Sequence, residues 1–139
     1  MKPKVLNNPR NDFYIPEERY YELVHFCRQY KSWQRALDCI DSMSQIPQTT
    51  MERVQSSDIP DPTTTAAEAR EYYIHRINMI EEAANRTTHP DIAKYIIQVV
   101  TDPDKSYDNI SAKEVIPCGR NTFYRLYRKF FWHLSALRE

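Results

Sequence analysis

A single glycine, Gly119, in a chain of 139 residues is the strongest constraint on what this sequence can build. Tight β-hairpins and phosphate-cradling loops need backbone conformations that glycine reaches at no steric cost. A chain that almost lacks glycine is left with helices joined by proline and polar turns. Glycine-rich nucleotide motifs are excluded outright. The length suits one domain with a modest core. The predicted fold class is therefore all-α, a helical bundle.

The apolar periodicity fills in that bundle. Residues 1–15 read as a flexible N-terminal arm, with no apolar run of the kind a signal peptide carries. Pro16, Glu17 and Glu18 mark a helix start, and Tyr20, Leu23, Val24, Cys27 and Tyr30 recur at helical spacing. A second helix is predicted over 33–43, with Trp33, Leu37, Ile40 and Met43 on one face and Lys31 and Ser32 as the junction. Residues 44–63 hold Pro47, Pro60 and Pro62 among Ser, Thr and Gln, and read as a long loop. Thr65 and Glu68 have capping-box spacing ahead of the stripe Ala66, Ala69, Tyr73, Ile77, Ile80 and Ala84. The next helix is expected over 91–101 with Ile92, Tyr95, Ile96, Val99 and Val100 inward; its β-branched content makes a strand the competing reading. In this division 16–102 form a helical scaffold and 103–139 a helix-turn-helix.

That last unit carries the functional argument. A short helix over 107–115, with Ile110 and Val115 inward, is followed by the turn Ile116-Pro117-Cys118-Gly119, where glycine permits a left-handed residue. The final helix runs from about 120 to near 138. Projected at about 100° per residue, Phe123, Leu126, Tyr127, Phe130, Leu134 and Leu137 share one face and Phe131 flanks it. The opposite face carries Asn121, Arg125, Arg128 and Trp132, with Thr122 and Lys129 beside them. A recognition helix needs this division, because its apolar side must be locked while its outer side offers hydrogen-bond donors. Arginine grips guanine and asparagine adenine in bidentate pairs, while lysine and hydroxyls hold phosphates. Base contacts are expected first from Arg120, Asn121, Thr122 and Arg125, and phosphate contacts from Arg128 and Lys129. Trp132 has two readings, a partner-contact anchor or a ring covered by the arm or the loop.

Charge supports the same end of the molecule. The chain has 19 basic and 19 acidic residues, but residues 116–139 hold five basic residues against Glu139 alone, 5 − 1 = +4. The remaining 115 residues carry 14 − 18 = −4. Such asymmetry is the footprint of a polyanion partner, or an ordinary solvated helix face.

Enzymatic sites are not expected. His25, His75, His89 and His133 lie in separate segments without metal-ligand spacing, so neither catalytic nor metal residues are assigned. Cys27, Cys39 and Cys118 are odd in number and far apart, which predicts a reducing, cytoplasmic setting rather than a disulfide framework. Cys118, before a helix and Arg120, is placed where a thiol pKa can be lowered; filling a small hole is the plainer reading. No apolar stretch of about 18 residues exists, so no membrane partner is predicted.

The stretch Ile116-Pro-Cys-Gly-Arg-Asn-Thr-Phe-Tyr-Arg-Leu-Tyr-Arg-Lys-Phe-Phe-Trp-His-Leu134 resembles the C-terminus of RinA/ArpU-like transcriptional regulators and related small phage and prophage proteins of Gram-positive bacteria. The residues that match that group's signature are Gly119, Arg120, Asn121, Thr122, Phe123 and Tyr124, at the opening of a helix similar to region 4 of sigma factors. Weaker likenesses are Asp61-Pro62-Thr63 followed by Ala66, and Tyr30 with Trp33. The chain departs from that group over 44–60, which is glycine-rich in typical members. The resemblance implies double-stranded DNA as partner, RNA polymerase as a second, a role in phage or prophage transcription regulation, and a place in the bacterial host's cytoplasm. No cofactor is implied. Two other functions are compatible with these residues. One is a small-terminase-like DNA-packaging component, for which a homo-oligomeric ring is expected; the other is a protein-interaction module that binds no DNA.

Overall fold

The computed structural model describes residues 13–43 and 62–139, with the side chains of Met43 and residues 62–65 excepted. Of the arm expected over 1–15, residues 1–12 lie outside the described residues, as do residues 44–61 of the loop expected over 44–63, whose last two residues are helical instead. Among the described residues all regular structure is helical: α1 (Glu17–Cys27), α2 (Tyr30–Met43), α3 (Pro62–Thr87), α4 (Pro90–Thr101), α5 (Tyr107–Ser111) and α6 (Arg120–Leu137). The chain forms two compact units. One takes in the described residues through Gln29 and Asn78–Glu139; the other is Tyr30–Ile77.

Prolines and caps explain most helix starts. Pro16 is the N-cap of α1 and its carbonyl accepts from Tyr20 N at 2.9 Å. The predicted junction at Lys31 and Ser32 is helical; the break falls at Arg28 and Gln29, whose N–H groups reach back to Val24 O and Phe26 O. The second of those bonds tightens the last turn and ends the α-helical ladder. Helix α3 begins at Pro62 rather than after Thr65, so Thr65 sits inside the helix and cannot cap it. Proline at the first helical position loses nothing by lacking an N–H, and its fixed φ starts the turn early. Helix α4 likewise opens on Pro90, with His89 Nδ1 accepting from Asp91 N at 3.3 Å. Ala93, Tyr95, Ile96, Val99 and Val100 are buried on it, so the strand alternative does not occur.

Helix α5 is shorter than expected. A capping box joins Ser106 and Asn109 at its start, but the helix ends at Ser111. Lys113 N and Glu114 N then both donate to Ile110 O. Once the helix stops, the 100° repeat (about one residue step) no longer places Val115 inward. It is 89% exposed, and Ile116, at 7%, takes the buried position instead. Gly119 does not adopt the left-handed conformation expected of it. It is the extended N-cap of α6, with φ −75° and ψ 165°, and no described residue has a positive φ. Tyr107 fixes this connection: its N–H donates to Tyr124 Oη at 3.2 Å and its hydroxyl donates to Cys118 O at 2.7 Å. A five-residue α5 and a connection over 112–119 depart from the expected two-helix proportions, whose turn is typically about 3–4 residues.

The core of the larger unit is built around α6, which packs against α1, α4 and α5. Phe123, Phe130, Phe131 and Leu134 are all at most 1% exposed, alongside Leu23, Ile80, Ile96 and Val99. Burying each such side chain contributes about 1.5–3 kcal/mol. Edge-to-face rings run along the helix through Phe123–Tyr124, Tyr124–Tyr127 and Tyr127–Phe131, at centroid distances of 5.4, 5.8 and 5.0 Å. Tyr107 and Tyr20 extend the series at its two ends. In the smaller unit Arg70 pairs with Asp41 at 3.0 Å between α3 and α2, and Arg76 lies 3.4 Å over the Tyr72 ring.

Candidate nucleic-acid interface

Helix α6 is held on its inner side by specific polar contacts as well as by rings. Tyr20 and Tyr127 share a buried hydroxyl–hydroxyl bond of 3.2 Å. At the far end Arg19 donates to Ser135 Oγ at 3.1 Å and to Ser135 O at 3.0 Å. Arg138 lies 3.9 Å over Phe26 and 3.8 Å from Glu22. These contacts clasp α1 to the C-terminal turn of α6, so the helix has one orientation in the unit.

The buried face differs from the predicted one. Tyr124 and Phe131 are buried with Phe123, Tyr127, Phe130 and Leu134, whereas Leu126 and Leu137 are only half-buried. The face is turned by roughly half of the 100° residue step. Tyrosine hydroxyls that find partners inside, Tyr124 with Tyr107 N and Tyr127 with Tyr20, make burial of their rings affordable. A projection that ranks leucine above tyrosine misses this.

The rotation redistributes the candidate contacts. Asn121, Thr122 and Arg125 are exposed, as is Arg120. Arg128 moves to the flank and is half-buried. Neither Arg125 nor Arg128 forms an ion pair with another described residue. Arg120 pairs with Asp108 at 3.4 Å and lies 5.5 Å from the Tyr124 ring centroid. Both partners of that pair are more than half exposed, so it contributes little and does not lock the guanidinium in place. Lys129 is half-buried with its ammonium 5.8 Å from the Phe13 ring. The formal +4 of residues 116–139 therefore overstates the outward charge. Arg138 is spent on α1, while Arg125, Arg128 and Lys129 keep theirs near solvent.

Trp132 is 39% exposed, so its ring is covered only in part. Phe13 packs edge-on against its ring at 5.7 Å. Phe13 belongs to a segment read from the sequence as arm, yet Ile15 beside it is 2% exposed. The apolar run Phe13-Tyr14-Ile15 directly before the Pro16 cap was the signal for this packing.

Two titratable groups near the face are shifted toward their neutral forms by their surroundings. Burial, then Lys129 and Arg86, holds the His133 pKa below the usual histidine value, and its Nε2 has no hydrogen-bond partner among the described residues. Burial pushes the Cys118 thiol up, opposite to the direction a helix start and an adjacent arginine would give. Among the described residues no cluster of three or more His, Cys, Asp or Glu could hold a metal ion, and no helix is long and apolar enough to cross a membrane.

Comparison of the chain with protein-family models, with curated proteins and with solved structures gives no match.

Proposed function

We propose that this chain is a DNA-binding protein that presents the N-terminal half of α6 to the major groove of duplex DNA. The observation that carries the reading is the placement of Asn121, Thr122 and Arg125 together on an exposed face, backed by a fully buried aromatic face. A helix that enters the groove must not rock, and the ring series, the Tyr20–Tyr127 bond and the Arg19–Ser135 clasp supply that rigidity. Recognition helices place their first residues deepest, which assigns base edges to Arg120, Asn121, Thr122 and Arg125. Arg128 and Lys129, flanking and half-buried, are assigned to phosphates. In this reading α4, α5 and α6 together form a helix-turn-helix variant, with Tyr107 fixing the long connection in place of a tight turn. The likeness of residues 116–134 to RinA/ArpU-like regulators makes transcription control in a phage or prophage the proposed setting, with RNA polymerase as a further partner and the bacterial cytoplasm as its place.

Fluorescence anisotropy of a labelled duplex at low salt tests the reading. The wild type binds, and affinity falls steeply as salt rises. On the cognate sequence Arg125→Ala costs on the order of 1–3 kcal/mol. The control Lys113→Ala, an exposed cation outside α6, leaves affinity within a factor of about two, the size of one weak phosphate contact or less. Equal affinities for wild type and Arg125→Ala at low salt refute the assignment. Sequencing the DNA recovered with the tagged protein from cells separates promoter control from packaging.

A further inference from the structure

The interface proposed above ends at Lys129, but the outward stripe of α6 continues. Trp132 lies seven residues, two helical turns, beyond Arg125 and so on the same stripe. It is 39% exposed, and Phe13 braces its ring edge-on at 5.7 Å. Lys129 sits between the two, its ammonium 5.8 Å from the Phe13 ring. A large ring on the outer face of a helix needs an occupant that tolerates cations, and no acidic residue stands between Ile116 and Arg138. An acidic or neutral protein surface fits this charge less well than a polyanion does.

Length decides which part of the polyanion is in reach. At 1.5 Å per residue Trp132 is about 18 Å along the axis from Arg120 and about 10 Å from Arg125. The major groove is about 12 Å wide. With Arg120 to Arg125 on the groove floor, a ring that far along the axis lies over the groove's rim, at the sugar–phosphate backbone.

Resting on the α6 reading, we propose that Phe13 and Trp132 form an aromatic ledge that packs on the deoxyribose–phosphate backbone where α6 leaves the groove, with Lys129 pairing the adjacent phosphate. Trp132 is the contact residue. Phe13 is a positioning residue that holds the indole at its angle.

Intrinsic tryptophan emission tests this directly, because the chain has two tryptophans and Trp33 is only 5% exposed. The wild type and Trp132→Phe are titrated with an unlabelled random-sequence duplex at low salt, and binding of the same duplex in labelled form is followed in parallel. The expected result is a change in emission and a reduced acrylamide accessibility in the wild type, both absent from Trp132→Phe. Trp132→Ala and Phe13→Ala are expected to weaken binding about three- to tenfold, up to one decade or 1.4 kcal/mol, and Trp132→Phe by less. If the duplex binds while wild-type emission and acrylamide accessibility stay unchanged, or if the change persists in Trp132→Phe, the ledge is overturned and the α6 reading stands. If the duplex does not bind at all, both fall together.

Discussion

Replacing Tyr20 by phenylalanine removes one oxygen from the core and leaves another without its partner. Tyr20 is 7% exposed and Tyr127 3%, and their hydroxyls are 3.2 Å apart. No other hydrogen bond to the Tyr127 hydroxyl exists among the described residues. Tyr20→Phe therefore costs the desolvation of a stranded hydroxyl, about 1–3 kcal/mol. In urea, with m of about 1–3 kcal/mol/M, the midpoint falls by roughly 1 M at unchanged m. The double variant Tyr20→Phe/Tyr127→Phe removes both oxygens, so most of the loss is regained and the cycle shows coupling of about 1 kcal/mol or more. Alkali gives a second reading of the same pair. Burial, with Tyr20 beside it, holds the Tyr127 hydroxyl pKa well above its ordinary 10.0. The folded state then keeps a proton that the unfolded state releases. The contribution is complete below pH 10 and is lost above it at about 1.4 kcal/mol per pH unit. Tyr127→Phe lacks that slope. A Tyr20→Phe cost below about 0.3 kcal/mol, or a double variant that loses the sum of the singles, refutes the reasoning.

Other consequences follow from single positions. Gly119 is an N-cap in extended conformation with open space around its Cα, so Gly119→Ser adds a capping hydroxyl and restricts the unfolded chain. A gain of about 0.5–1 kcal/mol in chemical denaturation is expected, and a loss contradicts the assignment. The His133 pKa is held below 6.5, so its contribution is present above pH 6.5 and is lost as pH falls through the folded-state pKa. Stability measured from pH 7 to pH 5 declines in the wild type and declines less in His133→Gln; parallel curves count against a buried neutral imidazole. Cys118, partly buried with a raised pKa, is alkylated by iodoacetamide more slowly than exposed Cys39, which peptide mass mapping reads out.

Much of the helical layout was legible because its signals are local. Proline before or at a helix start, acids in the first turn and apolar repeats at 3.6-residue spacing all act within a few residues, and α1, α4 and α6 fall where those signals place them. What the residues did not show are effects that depend on distant partners. Tyr124 and Phe131 outrank Leu126 and Leu137 on the buried face of α6 because Tyr107 and Tyr20 receive them, residues 17 and 111 positions away in sequence. Val115 turns outward because α5 stops four residues earlier than its apolar repeat suggested. Residue type alone points to a left-handed turn at Gly119, whereas Tyr107 bonding Cys118 O sets the chain there. For the candidate site, the exposure of Asn121, Thr122 and Arg125 followed from the projection; the half-burial of Arg128 and the Phe13 brace on Trp132 did not.

The claim on which the account rests is that α6 offers its outer face, and not another part of the molecule, to DNA. Amide and side-chain chemical-shift mapping of the labelled protein with a duplex at low salt tests it most directly. The largest shifts are expected on Arg120, Asn121, Thr122, Arg125 and the Trp132 indole, while Phe123, Phe130 and Leu134 barely move. Shifts centred on α2 or the first half of α3, or no shifts at saturating duplex, contradict it.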